Sequence, residues 1–199
     1  MKVLVACEYS GRVRDAFTDL GHEAISCDLL PSNTQGEHYQ GDVFDLNLSE
    51  FDLMIAHPPC TYLSNSGVCH LHKDTSRWPK LFDGAGFFKR LLEAPVERIV
   101  IENPIMHKYG KQLIGGVKQT QIVHPWMFGH TEQKATCLWL KGVKPLFSTN
   151  DVKEEMMLLP NNERQRLHYL SPSPERWKLR STTYQGIADA MAMQWGDLK

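Results

Sequence analysis

The segment DLMIAHPPCTYLSNSG, residues 52–67, runs from an apolar stretch into two prolines and a cysteine. Pro58 and Pro59 stiffen the backbone ahead of the Cys60 thiol, and Ser64, Asn65, Ser66 and Gly67 loosen it afterwards. A buried structural thiol needs neither. A nucleophile benefits from both, because it attacks as a thiolate that a helix start or a nearby cation helps to populate. The second group is Glu102, at the end of the apolar run RIVIENP, residues 98–104. An acid there is costly unless it is hydrogen-bonded or used. Partial burial would raise its pKa toward general-acid work. Singly, Cys60 reads as a small apolar residue and Glu102 as a helix cap. Together, each beside proline and each ending a strand, they predict a nucleophile and an acid.

Weaker signals lie elsewhere. EYSG, residues 8–11, precedes a helical pattern, so Gly11 could let the backbone approach a ligand at free helix-start N–H groups. It is not GxGxxG, which argues against a dinucleotide pyrophosphate site. Asp28 ends a strand where α/β folds place an acid on ribose hydroxyls, although a turn residue ahead of Pro31 reads equally well. CHLH (Cys69, His70, His72) lacks paired ligand spacing and a second cluster, so no metal site is predicted. The aromatic residues of HPWMFGH, residues 124–130, could stack on a base but more simply fill a core.

Positioning these groups needs a scaffold. KVLVAC, HEAISCDLL, DLMIAH and RIVIENP read as strands, and GDV at residues 41–43 as a strand end or turn. Val13, Ala16, Phe17 and Leu20 fall at helical spacing before Gly21, and Leu81, Ala85, Phe88 and Leu92 form a second helical face. The alternation predicts an α/β fold with a mostly parallel sheet and right-handed crossovers. TQIVHPW and ATCLWLKG predict antiparallel strands at one edge, and YQGIADAMAMQWG a closing helix. Residues 144–178, with four prolines, read as a loop-rich excursion, with one short polar helix near NNERQRL, from a single domain spanning 1–199.

The bulk properties bound the function. The chain has 199 residues, 42% hydrophobic and 23% charged, with net charge −1, so no global field draws it to nucleic acid. Five scattered cysteines without a CxxC pair predict a reduced, cytoplasmic chain. The N-terminal apolar run is short for a signal peptide, and no window suits a membrane span.

The ordered motifs resemble the cytosine-5 DNA methyltransferases, specifically the small divergent ones of phages and prophages. VACEYSGRVRDAF stands at that family's cofactor turn, GDV at its adenine-side acid, HPPCTYLSNSG at its Pro-Cys loop, ENP at its Glu-Asn motif, and YQGIADAMA at its last motif. The likeness covers most of residues 2–142 and about 182–195. It implies a Rossmann-like S-adenosylmethionine-dependent methyltransferase fold with helices on both faces of the sheet. It also implies Cys60 as the nucleophile on cytosine C6, Glu102 at ring N3, and Ser64 to Gly67 as a mobile flap. By the same likeness the cofactor would meet Glu8, Tyr9, Ser10 and Gly11, then Asp28, Leu29, Asp42, Val43 and Pro58. The base would meet Pro59, Thr61, Asn103, Pro104 and Lys134.

Two departures stand out. The family's glutamine and two arginines are represented only by Gln133 and Lys134, and only residues 144–178 could serve as its target-recognition region. That segment and its continuation carry Lys153, Arg164, Arg166, Arg176, Lys178 and Arg180, which could touch phosphates. The leading expectation is a cysteine-dependent cytosine-5 methyltransferase acting on duplex or single-stranded DNA, phage- or prophage-encoded and working in the host cytoplasm. A protein partner for target recognition stays open. So do a transferase on a pyrimidine nucleotide or modified base, and a catalytically silent nucleotide- or cofactor-binding accessory protein.

Overall fold

A strand buried on both faces can afford no polar alternation, and KVLVA forms such a strand, β1 (Lys2–Ala6). After it come α1 (Arg12–Asp19), β2 (Glu23–Asp28), β3 (His38–Gln40) and β4 (Leu53–Ala56). The chain continues through α2 (Asn65–Val68), α3 (Arg77–Leu92), β5 (Arg98–Pro104), α4 (Lys108–Leu113), β6 (Gln121–Val123) and β7 (Thr136–Lys141). Four short helices follow, α5 (Lys153–Leu158), α6 (Asn161–Arg164), α7 (Arg166–Tyr169) and α8 (Arg176–Ser181), before α9 (Gln185–Gly196). The structure is a computed structural model and describes residues 1–197, the side chain of Ser66 excepted.

The strands form one mixed sheet in the order β3-β2-β1-β4-β5-β7-β6. β1 to β5 are mutually parallel, with Val5 opposite Ser26 on one side and Ile55 on the other, and Ile55 opposite Val100. β7 runs antiparallel to β5 and to β6. Because side chains alternate along a strand, each strand serves two cores. Val3, Val5, Leu53, Ile55, Val100 and Leu138 pack with Phe17 of α1 and Ile187 and Met191 of α9. Leu4, Ala6, Met54, Ala56, Ile99 and Ile101 pack with Leu81, Phe88 and Leu91 of α3 on the opposite face. The fold is therefore the expected Rossmann-like α/β arrangement with helices on both faces. Strand order reverses at β1, with β2 on one side and β4 on the other, and the crevice outside the carboxyl ends of β1 and β4 is where such sheets bind ligands.

The structure departs from the sequence reading in several places. GDV takes the turn of its two expected readings, entering the 3-10 helix Val43–Asp45, whereas the strand HYQ, three residues on the sheet edge, is an addition. β6 and β7 pair antiparallel as expected, but β7 is inserted beside β5, so of these two β6 alone forms an edge, opposite the β3 edge. The excursion holds α5 to α8; these are single turns or slightly more, too short for apolar periodicity to register. Ser64–Gly67, expected as a mobile flap, leads into and forms most of α2, stitched to the chain after β5 by Asn65 N–H on Ile105 O at 3.3 Å. No helix among the described residues is long and apolar enough to cross a membrane.

Candidate active site

β4 and β5 end side by side, and the chemistry follows from that adjacency. His57, the first residue past β4, continues the ladder by donating its backbone N–H to Ala6 O at 2.9 Å. Pro58 and Pro59 then carry the chain away, and the buried Asn103 of β5 ties it down through Nδ2 to Pro58 O at 3.0 Å. The backbone turns at Cys60, whose carbonyl accepts from Leu63 N at 3.0 Å and Ser64 N at 2.9 Å. Cys60 is thus held between a braced proline pair and a tight turn.

Cys60 and Glu102 line one cavity of about 110 Å³, together with His57, Asn103, Lys134 and Arg180. Glu102 Oε2 lies 3.1 Å from His57 Nδ1, and the two side chains are 15% and 8% exposed respectively. Burial alone would raise the Glu102 pKa, but the His57 hydrogen bond and the Lys134 charge outweigh it and hold the carboxyl below its ordinary range. The raised pKa expected from sequence is therefore not found; Glu102 rests as a carboxylate. Cys60 shifts the other way. Burial first, then the Glu102 charge, push its thiol above the ordinary value, and the opposing pull of Lys134 and Arg180 does not cancel them. The nearby cations expected to activate the thiolate are present, yet Cys60 rests protonated. Lys134 is itself anchored, donating from Nζ to Arg180 O at 3.0 Å.

A second cavity, of about 550 Å³, meets the first at Cys7 and Pro59, which line both. Asp28, Leu29, Asp42 and Val43, four of the residues expected to bind a cofactor, line it with Tyr62 and with Lys80, Asp83 and Phe87 of α3. Asp28 Oδ1 accepts from Leu30 N at 2.9 Å and Asp42 Oδ1 from Phe44 N at 3.0 Å, so each carboxylate is anchored by its own turn. Carboxylates dominate the local field. Burial, then Asp28, Asp42 and Asp45, push the Cys27 thiol up to about 12. Cys7, which has a left-handed backbone at φ 57, is pushed up by burial and then by Asp28.

The remaining expected residues distribute differently. Glu8, Tyr9, Ser10 and Pro58, expected at the cofactor, line the smaller cavity and not the larger, and Pro104, expected at the base, lines the smaller one. The helix-start N–H groups proposed for a ligand are already taken: Glu8 Oε1 accepts from Val13 N at 2.8 Å and Oε2 from Arg14 N at 3.2 Å. Gly11 lines neither cavity; at φ 76 it closes a turn in which an added Cβ would collide with Thr34 Oγ1 and Arg14 Nη2. Thr61 is exposed and lines neither cavity. In the CHLH segment His72 lies against Trp78 and Tyr109, and no group of three or more potential ligands gathers among the described residues. In HPWMFGH, Phe128 fills the core, Trp126 stacks on His124, and His130 Nε2 accepts from Gly186 N at 3.0 Å.

Sequence reasoning missed His57, although it opens HPPC, and missed the wall formed by Arg180, Ser181, Thr182 and Thr183. Tyr9 braces that wall, donating its hydroxyl to Lys178 O at 3.1 Å with its ring 5.7 Å from Trp177. It also missed Lys80, Asp83 and Phe87, whose helical spacing marks one face of α3. Of the basic residues in the excursion, Arg166 pairs with Glu132 at 2.9 Å and Lys178 with Glu175 at 3.0 Å.

No family model matches the chain, and neither does any curated protein. Among solved structures, the chain is similar to a DNA modification methyltransferase encoded within a prophage (E. coli), at 17% identity and a TM-score of 0.45 over 82% of this chain and 49% of that one. It is also similar to the Entamoeba histolytica methyltransferase EhMeth, at 14% identity and a TM-score of 0.46 over 88% and 64%. The S. pombe Dnmt2 methyltransferase gives 15% identity and a TM-score of 0.45 over 87% and 60%. The chain thus spans between about half and two thirds of the length of these proteins.

Proposed function

We propose that this chain is an S-adenosylmethionine-dependent methyltransferase that modifies C5 of cytosine in DNA through a cysteine nucleophile. The observation that carries the reading is the joining of two cavities at Cys7 and Pro59, one holding a thiol and a carboxylate, the other lined by carboxylates. The larger cavity fits the donor. Its volume is in the range of small-molecule sites, Leu29, Val43 and Phe87 offer apolar surface to an adenine, and Asp28 and Asp42 offer acceptors to hydroxyl and amine groups. Asp28, Asp42 and Asp45, which add to burial in raising the Cys27 thiol, favour a cationic ligand such as a sulfonium.

In the smaller cavity, Cys60 Sγ forms a bond to C6 of the ring. The thiol proton passes to the Glu102 carboxylate and from there to ring N3, so attack does not require a preformed thiolate. Lys134 and Arg180 offset the charge that develops on sulfur and on the base. Electron density is thereby raised at C5. S-adenosylmethionine, when bound, supplies an electrophilic methyl group there. The C5 proton leaves to water as the C5=C6 double bond re-forms and the C6–S bond breaks, and the N3 proton returns through Glu102 to the departing Cys60 sulfur. Asn103 holds the Cys60 loop through Nδ2 on Pro58 O, and its Oδ1, without a partner among the described residues, is left for the base. Asp28, Leu29, Asp42 and Val43 hold the donor, while Pro59 separates the two ligands. A base drawn from a duplex must first be flipped out.

The test is a covalent trap: DNA carrying 5-fluorocytosine, duplex or single-stranded, is incubated with the protein and S-adenosylmethionine, and intact mass is measured. A stable adduct lost in Cys60→Ala supports the reading. No adduct on either substrate removes it. Methyl transfer to a free pyrimidine nucleotide alone reassigns the substrate.

A further inference from the structure

One buried side chain of the smaller cavity has no place in that mechanism. His57 is 8% exposed, its Nδ1 faces Glu102 Oε2 at 3.1 Å, and its Nε2 is buried without a hydrogen-bond partner among the described residues. A carboxylate only accepts, so the proton of a neutral imidazole must sit on Nδ1, and Nε2 is a bare lone pair. Buried polar atoms are normally paired, and an orphan of this kind implies that the residue is kept for what its other nitrogen does. A histidine at this position is unnecessary for the strand, since Ala6 O takes its backbone N–H.

We propose that His57 is the positioning residue of Glu102: its Nδ1–H fixes Oε2 and keeps the group a carboxylate, leaving Oε1 to take the thiol proton and hand it to the base. This rests on the cysteine mechanism above and adds to it a residue that sets the charge of the acid. Glu102 needs such a partner because its other neighbours pull in both directions. Burial in a cavity shared with Cys7, Glu8 and Cys60 disfavours its charge, whereas His57 and the Lys134 charge before β7 favour it, and Arg180 of α8 lines the same cavity. None of the two cations is hydrogen-bonded to Glu102 among the described residues; His57 is. The hydrogen bond also spans adjacent strands, so it aligns the acid with the loop that carries Cys60.

His57→Phe and His57→Asn separate charge control from packing. Phenylalanine keeps a planar ring and loses one hydrogen bond, since Nε2 makes none. Asparagine keeps an N–H near the Nδ1 position but cannot titrate. The first readout needs no substrate: the Glu102 carboxyl carbon is followed by carbon-13 NMR against pH. The titration is expected to move up by more than about one unit in His57→Phe and to return to within about half a unit of wild type in His57→Asn. The second readout is methyl transfer. In His57→Phe, kcat should fall at least about tenfold at neutral pH with little change in KM, and the acid limb of the pH profile should move up; His57→Asn should recover to within about threefold. An unmoved Glu102 titration in His57→Phe, or a His57→Asn protein as impaired as His57→Phe, overturns the proposal. If the wild type modifies no pyrimidine, the cysteine mechanism fails, and the NMR titration still decides whether His57 holds the acid.

Discussion

The two cavities are built in opposite ways. In the smaller one, the residues are wired across neighbouring strands and loops: Asn103 of β5 holds the loop after β4, and His57 after β4 holds Glu102 of β5. In the larger one, Asp28 and Asp42 are each anchored on their own turn, two residues ahead, and the walls come from β-strand ends and one face of α3. Cross-strand wiring makes a rigid, coupled site in which one change disturbs several groups. Locally anchored carboxylates are independent of one another. Reaction chemistry belongs in the first kind of site, and ligand retention suits the second.

That contrast can be broken most directly at sulfur. Cys60→Ala is expected to lower methyl transfer by at least about a thousandfold while leaving donor binding, measured by calorimetry, within about twofold. A comparable loss of donor binding would mean that the two cavities are one coupled site. Glu102→Gln should reduce transfer by about a hundredfold, the usual scale for a positioned acid or base. The same variant sharpens the electrostatic picture. Because the folded pKa of Glu102 lies below its ordinary value of 4.5, its charge contributes stability that is present above that pH and lost as pH falls through the folded value. Acid unfolding followed by circular dichroism should therefore be less steep in Glu102→Gln than in the wild type. Asp28→Asn should weaken donor affinity by about tenfold and leave the rate at saturating donor close to wild type, the signature of an independent, locally anchored group. The smallest effect falls outside both cavities. Lys178→Ala should reduce the slope of log affinity for DNA against log salt by about one, and an unchanged slope would remove α8 from the phosphate-contacting surface.

How much of this was legible follows from the range of the interactions involved. β1, β2, β4 and β5 announce themselves as short apolar runs, and Asp28, Cys60 and Glu102 stand at or just beyond their ends, so strand and candidate site appear in the same few residues. β3 and α4 carry no such signal: HYQ is a partly exposed edge, and KYGKQL has one fully buried position, Gly110. Glu8 illustrates the opposite failure. EYSG reads as a ligand turn, yet the Glu8 carboxylate, four residues before the helix start at Arg12, satisfies the helix itself. The excursion was only partly legible, with a short helix readable near NNERQRL where α6 and α7 stand, because its helices rely on distant partners such as Glu132, which accepts from Arg166 of α7.

The chain by itself determined all its strands but β3, the longer helices, and the placement of a thiol and an acid after two of those strands, since local hydrophobic periodicity and proline chemistry act over a few residues. Tertiary structure alone decided the charge states. Glu102 is held low and Cys60 high by His57, Lys134, Arg180 and burial, and those partners approach only when β4, β5, the segment before β7 and α8 close around one space. Electrostatic energies depend on distance and dielectric, and neither quantity exists until the chain has folded.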